Sequence, residues 1–132
     1  MTIFGAIGVA GTGMTVTRKW LDAVSDNLAN SSTVRATSEE AFRTRYVVAQ
    51  EMAGGDGGVQ VAGIALGDAQ GRLVHEPDHP LADAEGYVRY PDVDMASQMT
   101  QLIMAQRGYQ ANAAVVTRAT ESYQAALQIG RS

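Results

Sequence analysis

Apolar residues recur at seven-residue intervals at both ends of this 132-residue chain. Near the N-terminus they form two adjacent rows, Ile3, Ala10, Thr17 and Val24 in one and Ile7, Met14, Leu21 and Leu28 in the other. Because alternating steps of three and four residues place side chains on one helix face, the pattern predicts a helical segment over residues 1–33. Four glycines in its first half lower the helix propensity, so we expect packing partners to supply the order.

The C-terminal part repeats this pattern over a longer stretch. Its two rows are Met95, Leu102, Tyr109, Val116 and Tyr123, and Met99, Gln106, Ala113, Thr120 and Leu127. We expect a helix from Val93 to Ile129 within the segment 92–132, with Asp92 as its N-terminal cap, Asp94 beside its positive end and Gly130 as its stop. This helix would be about 55 Å long, whereas a domain of this size has a radius of gyration of only about 14 Å.

A helix of this length is too long for its own chain to cover. We therefore predict that the terminal helices pair as an antiparallel coiled coil and present further apolar residues to other subunits. The alternative is a helical hairpin that packs on itself within a monomer. We also expect Asn27, Asn30 and Asn112 to pair across the helices and fix their register. The predicted subunit-interface residues are Ile3, Ile7, Met14, Leu21, Val24, Leu28, Met95, Met99, Leu102, Tyr109, Val116, Tyr123 and Leu127.

The middle of the chain, residues 34–91, has a different period. Short β-branched or alternating runs predict strands at residues 46–49, 59–66, 72–74 and 87–90, and the glycine-rich segment 54–58 predicts a hairpin turn. The fold class expected from the whole chain is mainly α with a small β insertion. Its three parts are an N-terminal helix (1–33), a β-rich middle domain (34–91) and a long C-terminal helix (92–132).

Charge and composition argue against several function classes. The formal net charge is −4, which disfavours nucleic acid as a partner, and the absence of cysteine excludes disulfides and thiolate metal sites. No apolar run reaches the roughly 18 residues of a membrane span, and the first basic residue is Arg18, so we expect neither membrane insertion nor a cleaved secretory leader.

The chain contains two short motifs that resemble ligand-binding sites, one for zinc and one for phosphate. Residues His75 to His79 match the H-E-x-x-H zinc pattern, but that pattern needs a helix, and Pro77 and Pro80 disfavour one. The glycine-rich segment 8–13 lacks the preceding strand of a phosphate-binding loop. We expect no catalytic residue, no metal and no cofactor, with a metalloenzyme as a remote alternative.

Three ordered blocks resemble the bacterial flagellar rod and hook family. Residues 25–33 are similar to its A-N-N-L-A-N-x-x-T signature, residues 91–94 followed by Met99 to its P-N-V-D block, and residues 107–112 to its R-S-Y-Q-A-N block. The chain departs from the family at Gly108, where serine is usual, and in the segment 34–40, which lacks the usual glycine. The residues that carry the family motifs are Asn27, Leu28, Ala29, Asn30, Thr33, Pro91, Val93, Asp94, Tyr109, Gln110, Ala111 and Asn112.

The resemblance implies a structural subunit of the flagellar basal body. The run from Leu73 to Val88 is similar to that of short members that build the proximal rod. Such members are exported through the flagellar type III apparatus without signal cleavage and assemble, by their terminal helices, into a rod that crosses the periplasm. The implied partners are further copies, other rod proteins and the rod-base adaptor that joins the MS ring. The alternatives are another short rod subunit and, more remotely, a cytoplasmic helical export adaptor.

Overall fold

The computed structural model describes residues 1–131 and has two long helices with four strands between them. The elements are α1 (Ile3–Ala29), β1 (Arg45–Glu51), β2 (Val59–Leu66), β3 (Arg72–His75), β4 (Tyr87–Tyr90) and α2 (Met95–Ile129). This confirms the mainly helical fold with a small β insertion. No helix in the described part of the chain has the length and apolar character that a bilayer crossing requires.

Helix α1 forms despite its glycines and is closed at both ends by side chains. The Thr2 hydroxyl oxygen accepts the N–H of Gly5 over 3.0 Å, which satisfies one free donor of the first turn. At the other end, the backbone N–H and the side-chain Nδ2 of Asn30 both donate to the carbonyl oxygen of Asp26. The helix therefore ends where the polar segment after Ala29 supplies its own hydrogen bonds.

The four strands form two separate two-stranded sheets, β1 with β2 and β3 with β4. In the second sheet, antiparallel pairing places Arg72 opposite Tyr90 and His75 opposite Tyr87. The turn between β1 and β2 contains Gly54, Gly55, Gly57 and Gly58, all with φ between 66° and 119°. Because other residues rarely adopt this backbone region, the predicted glycine turn is the feature that permits the first hairpin.

The chain divides into two compact units. The first contains Met1–Leu21, Val47–Gly63 and the chain from Ile103 onward. Within it α1 and α2 run antiparallel, since the Phe4 and Tyr123 rings lie 5.3 Å apart while Gly13 contacts Asn112. The β hairpin also contacts α1, because the N–H of Val59 donates to the Thr12 hydroxyl over 3.1 Å.

The second unit contains Asp22–Tyr46 and Ile64–Leu102. Its most deeply buried side chains are Val24, Asn27, Val88 and Pro91. Here α2 begins, and the Asp94 carboxylate accepts the N–H of Ala96 over 3.2 Å. The predicted cap at Asp92 is therefore wrong, and Asp94 takes that role. The Asp92 carbonyl oxygen instead accepts the Thr44 hydroxyl over 3.0 Å.

The buried apolar residues of both units are small. No Leu, Ile, Met, Phe or Trp side chain is fully buried within residues 1–131. On α2 the fully buried positions are Gln98 and Ala105, whereas Met95 and Met99 of the two predicted heptad rows are 50% and 48% exposed. The buried apolar residues are Ala10, Val16, Ala23, Val24, Ala41, Val88 and Ala105.

Candidate assembly interface

A buried asparagine joins three segments of the second unit. The Asn27 side-chain Nδ2 donates to the Arg45 carbonyl oxygen and to Gln98 Oε1, both over 2.9 Å, and its Oδ1 accepts the Arg45 N–H over 2.8 Å. Asn27 and Gln98 are only 1% and 3% exposed, yet each amide finds a partner, which removes the cost of burying it. The expected pairing of Asn27 across the helices is therefore present.

The rest of the first family block closes the end of α1. The Asp26 carboxylate forms an ion pair with the Arg45 guanidinium at a half-exposed position. The Thr33 hydroxyl donates to Asn30 Oδ1 over 3.2 Å, and Asn30 Nδ2 donates within its own helix. Asn30 therefore does not pair across the helices as expected, because its Nδ2 bonds the Asp26 carbonyl oxygen, which also accepts the Asn30 backbone N–H. Together these bonds connect the end of α1 to the start of β1.

The third family block lies where the two helices of the first unit approach closely. Asn112 Nδ2 donates to the Gly108 carbonyl oxygen over 2.9 Å, so the expected bond from Asn112 to the other helix is absent. A Cβ atom at position 13 would stand 2.8 Å from the Asn112 amide. A Cβ at position 108 would stand 3.0 Å from the Thr17 methyl group. Gly13 and Gly108, which replaces the usual serine, therefore set the helix spacing here.

The predicted interface residues differ widely in burial. Val24 lies in the core of the second unit, at 1% exposure, and contacts its own chain. The partly buried set contains Ile7, Met14, Leu21, Leu28, Leu102, Tyr109 and Val116. The exposed set contains Ile3, Met95, Met99, Tyr123 and Leu127. Among the other motif residues, Pro91 is buried, Val93 partly buried, and Ala29, Gln110 and Ala111 exposed.

Further exposed apolar residues were missed by the sequence pattern. Phe4 lies at the start of α1, and Ile103, Met104, Val115 and Ile129 lie on α2 outside the two heptad rows. From Glu121 to Arg131 every residue is exposed, with Ile129 at 77%. Counting apolar residues on all faces of α2, and not only in the two heptad rows, would have identified those on this helix.

The histidines of the zinc-like pattern lie in a turn and at a strand end. The N–H of Leu81 donates to His79 Nδ1 over 3.0 Å, and the His75 ring contacts the Tyr87 ring edge-on at 5.0 Å. The Tyr90 hydroxyl donates to the Glu76 carboxylate over 3.0 Å, and this bond raises the pKa of Tyr90. Among residues 1–131, no group of three His, Cys, Asp or Glu side chains is positioned to hold a metal ion.

Comparisons with known proteins agree with the three sequence blocks. The profile described as "Flagella basal body rod protein" matches residues 7–37. The profile described as "Flagellar basal body rod FlgEFG protein C-terminal" matches residues 84–129. These ranges contain most of α1 and all of α2.

Relatives match this chain along almost its whole length. The flagellar basal-body rod protein FlgC of Escherichia coli O6:H1 is 34% identical over 134 residues, which covers 99% of this chain and 100% of the relative. FlgC of Salmonella typhimurium is 35% identical over 134 residues with the same coverage, and FlgC of Bacillus subtilis is 33% identical over 150 residues with the same coverage. The chain therefore belongs to the FlgC family of flagellar basal-body rod proteins and is a structural subunit of the rod.

Proposed function

We propose that the chain polymerises into the proximal rod through its two terminal helices. The observation that carries this proposal is that small apolar side chains are buried whereas large ones are exposed. The buried apolar side chains other than Pro91 are alanines and valines, whereas 11 large hydrophobic side chains in the segments 1–33 and 92–131 are exposed. Exposed apolar surface on this scale marks an interaction site, and repeated contacts with neighbouring subunits would bury it.

The proposal assigns different roles to different parts of the chain. The segments 1–33 and 92–132 pair as an antiparallel coiled coil and form the inner tube, and the middle domain 34–91 faces outward. Val24 stabilises the subunit itself. The exposed and partly buried members of the predicted interface contact neighbours, and each Leu, Ile or Met side chain that becomes fully buried contributes about 1.5–3 kcal/mol.

The partners and location follow from the family. We infer that the chain contacts its own copies, other rod proteins and the rod-base adaptor that joins the MS ring. It reaches the rod through the flagellar type III export apparatus, without cleavage of a leader, and functions where the rod crosses the periplasm. The flagellar basal-body rod proteins to which it is similar support this assignment.

A complementation experiment tests the proposed assembly. In cells that lack the chromosomal gene, the double variant Leu127→Ser with Ile129→Ser is expected to be exported, yet absent from isolated basal bodies, and the cells to be non-motile. The matched control is Gln124→Ser with Gln128→Ser, because these positions are also exposed but polar. Export is read in the periplasmic fraction and incorporation by immunoblotting of basal bodies.

The same experiment separates the alternatives. Normal incorporation of the Leu127 and Ile129 variant would contradict a role for the end of α2 in assembly. Retention of the unaltered chain in the cytoplasm, with none in basal bodies, would favour an export adaptor over a rod subunit.

A further inference from the structure

An open cavity on the first unit combines two cations with apolar walls. It has a volume of about 410 Å³ and is lined by Gly11, Met14, Thr15, Arg18, Lys19 and Tyr109, and we call it the basic cavity. Arg18 and Lys19 are exposed, and neither makes a salt bridge to any carboxylate of the described chain. The basic cavity therefore presents two unneutralised positive charges beside the side chains of Met14 and Tyr109.

The first unit, which contains the basic cavity, is predominantly basic. The first unit contains five basic residues against three acidic ones, Glu51, Asp56 and Glu121, and of these three only Glu121 lies on its helical segments, 1–21 and 103–131. The basic residues are Arg18, Lys19, Arg107, Arg118 and Arg131. An acidic partner is therefore favoured at this surface, because opposite charges steer and orient association.

The second unit supplies a surface of the opposite character. Its segment 64–102 contains only two basic residues, Arg72 and Arg89. At the start of α2, exposed Asp92 and Asp94 precede Met95 and Met99, which are 50% and 48% exposed. These four residues form what we call the acidic patch. The acidic residues of the whole segment are Asp68, Glu76, Asp78, Asp83, Glu85, Asp92 and Asp94.

The two surfaces match in both charge and apolar character. Met95 and Met99 lie four residues apart and therefore neighbour each other on one side of α2. Methionine side chains adapt readily to irregular apolar surfaces and aromatic rings such as those of the basic cavity. The Asp92 carboxylate makes no hydrogen bond within the described residues, and Asp94 uses only one of its two oxygens for the cap.

We propose that the basic cavity of one copy receives the acidic patch of a second copy. Arg18 and Lys19 pair with Asp92 and Asp94, and Met95 and Met99 contact Met14 and Tyr109. Because this contact joins two different surfaces, it is heterologous and can propagate into a filament. The inference rests on the proposed function and adds to it a specific contact between copies.

Cysteine cross-linking tests the contact, because the native chain has no cysteine. Cells that lack the chromosomal gene co-express Lys19→Cys and Asp92→Cys versions with different tags, and isolated basal bodies are treated with a short bismaleimide. We expect a covalent dimer that carries both tags. The matched control pairs Lys19→Cys with Asp78→Cys, an exposed acidic position in the turn after β3.

Salt dependence and charge reversal provide the second readout. For the purified chain at high concentration, cross-linking is expected to fall several-fold between about 0.1 M and about 1 M NaCl, since the screening length falls from about 10 Å to about 3 Å. Lys19→Glu and Asp92→Arg should each reduce motility, and the two reversals together should restore it.

The outcomes separate this inference from the proposed function. If basal bodies contain both cysteine versions but no covalent dimer that carries both tags, the proposed contact is contradicted and the assignment as a rod subunit is unaffected. A dimer through Asp78 but not Asp92, or cross-links from Lys19 only to other rod proteins, would overturn it equally. Absence of both versions from basal bodies, with the native chain also absent, would instead contradict the proposed function.

Discussion

The side-chain amide of Asn27 donates to Gln98 over 2.9 Å and joins the end of α1 to the first turns of α2 within the second unit. The same amide bonds both backbone groups of Arg45, so that the first strand is held by the same residue. Because the Asn27 and Gln98 side chains are shielded from water, each depends on the other for a partner. This arrangement gives the asparagine of the first family block a structural role that can be measured.

We expect Asn27→Ala to lower the free energy of unfolding by about 2–3 kcal/mol, because it leaves Gln98 and the Arg45 backbone without partners. Urea unfolding of the purified chain, followed by circular dichroism, measures the change. The matched variant is Asn30→Ala, which loses only local bonds to Asp26 and Thr33 and should cost about 0.5–1.5 kcal/mol. Equal losses for the two variants would contradict the role of Asn27.

Two glycines of α1 should respond in opposite directions to alanine. Gly8→Ala is expected to stabilise the chain by about 0.5–1 kcal/mol, because its Cβ would enter open space and alanine favours the helix. Gly13→Ala is expected to destabilise it, since the new Cβ would stand 2.8 Å from the Asn112 amide. Thermal unfolding of both variants checks the signs.

A second substitution tests the cause of the Gly13 effect. Asn112→Ala removes the amide that the new methyl group would meet, so Gly13→Ala should be much less harmful in the Asn112→Ala background. Additive effects of the two changes would show that the close approach does not set the cost.

The start of α2 offers a test of the cap. Asp94→Ala should cost about 1 kcal/mol, within the usual range of about 0.5–2 kcal/mol for loss of an N-cap. Asp92→Ala should leave stability nearly unchanged, because only its backbone carbonyl is engaged. Urea unfolding compares the two variants, and a larger loss at Asp92 would contradict the assignment.

Acid should weaken the loop between β3 and β4 through Asp83. Its carboxylate accepts the Tyr87 N–H over 2.8 Å and the Thr37 hydroxyl over 2.9 Å, and these bonds lower the pKa of Asp83 below 3.8. Because the folded state holds the ionised form, this stabilisation is present above the unfolded pKa and is lost as pH falls through the lower folded value.

Amide hydrogen exchange can follow this loss. We expect faster exchange of the Tyr87 amide as the pH falls through the lowered pKa of Asp83, after correction for the intrinsic rate. Asp83→Asn retains an acceptor oxygen but cannot titrate in this range, so its corrected exchange should not change with pH. Identical pH profiles for the two proteins would remove Asp83 as the cause.

Local patterns in the sequence predicted much of the fold. The limits of β2 and β4 agree with the strand runs at 59–66 and 87–90, and α2 ends before Gly130 as expected. These features depend on signals that are local in the sequence, namely alternating apolar side chains in strands, glycines in turns and the glycine that ends a helix. The limits of the helices were also approximated well because their apolar spacing extends over many turns.

Features that depend on distant residues were predicted less well. Asp92 precedes α2 as a cap would, but Thr44 bonds its carbonyl from elsewhere in the sequence, and Asp94 caps the helix. Gln98 is buried on α2 although an apolar pattern excludes glutamine from buried positions. Its burial is possible because Asn27 donates a hydrogen bond to its side chain. Only the fold reveals such a pair.

Because its core consists mainly of alanines and valines, the thermal stability of this subunit should depend on association with other subunits and therefore on protein concentration. The large side chains that would raise the melting temperature of an isolated chain are exposed, so that in the proposed rod most of the available burial would be shared with other molecules. Dilution should therefore lower the melting temperature, and a mature rod should outlast its free subunits in heat. For such a protein, we expect resistance to thermal unfolding to be a property of the assembled rod and to increase with the number of neighbours that each subunit contacts.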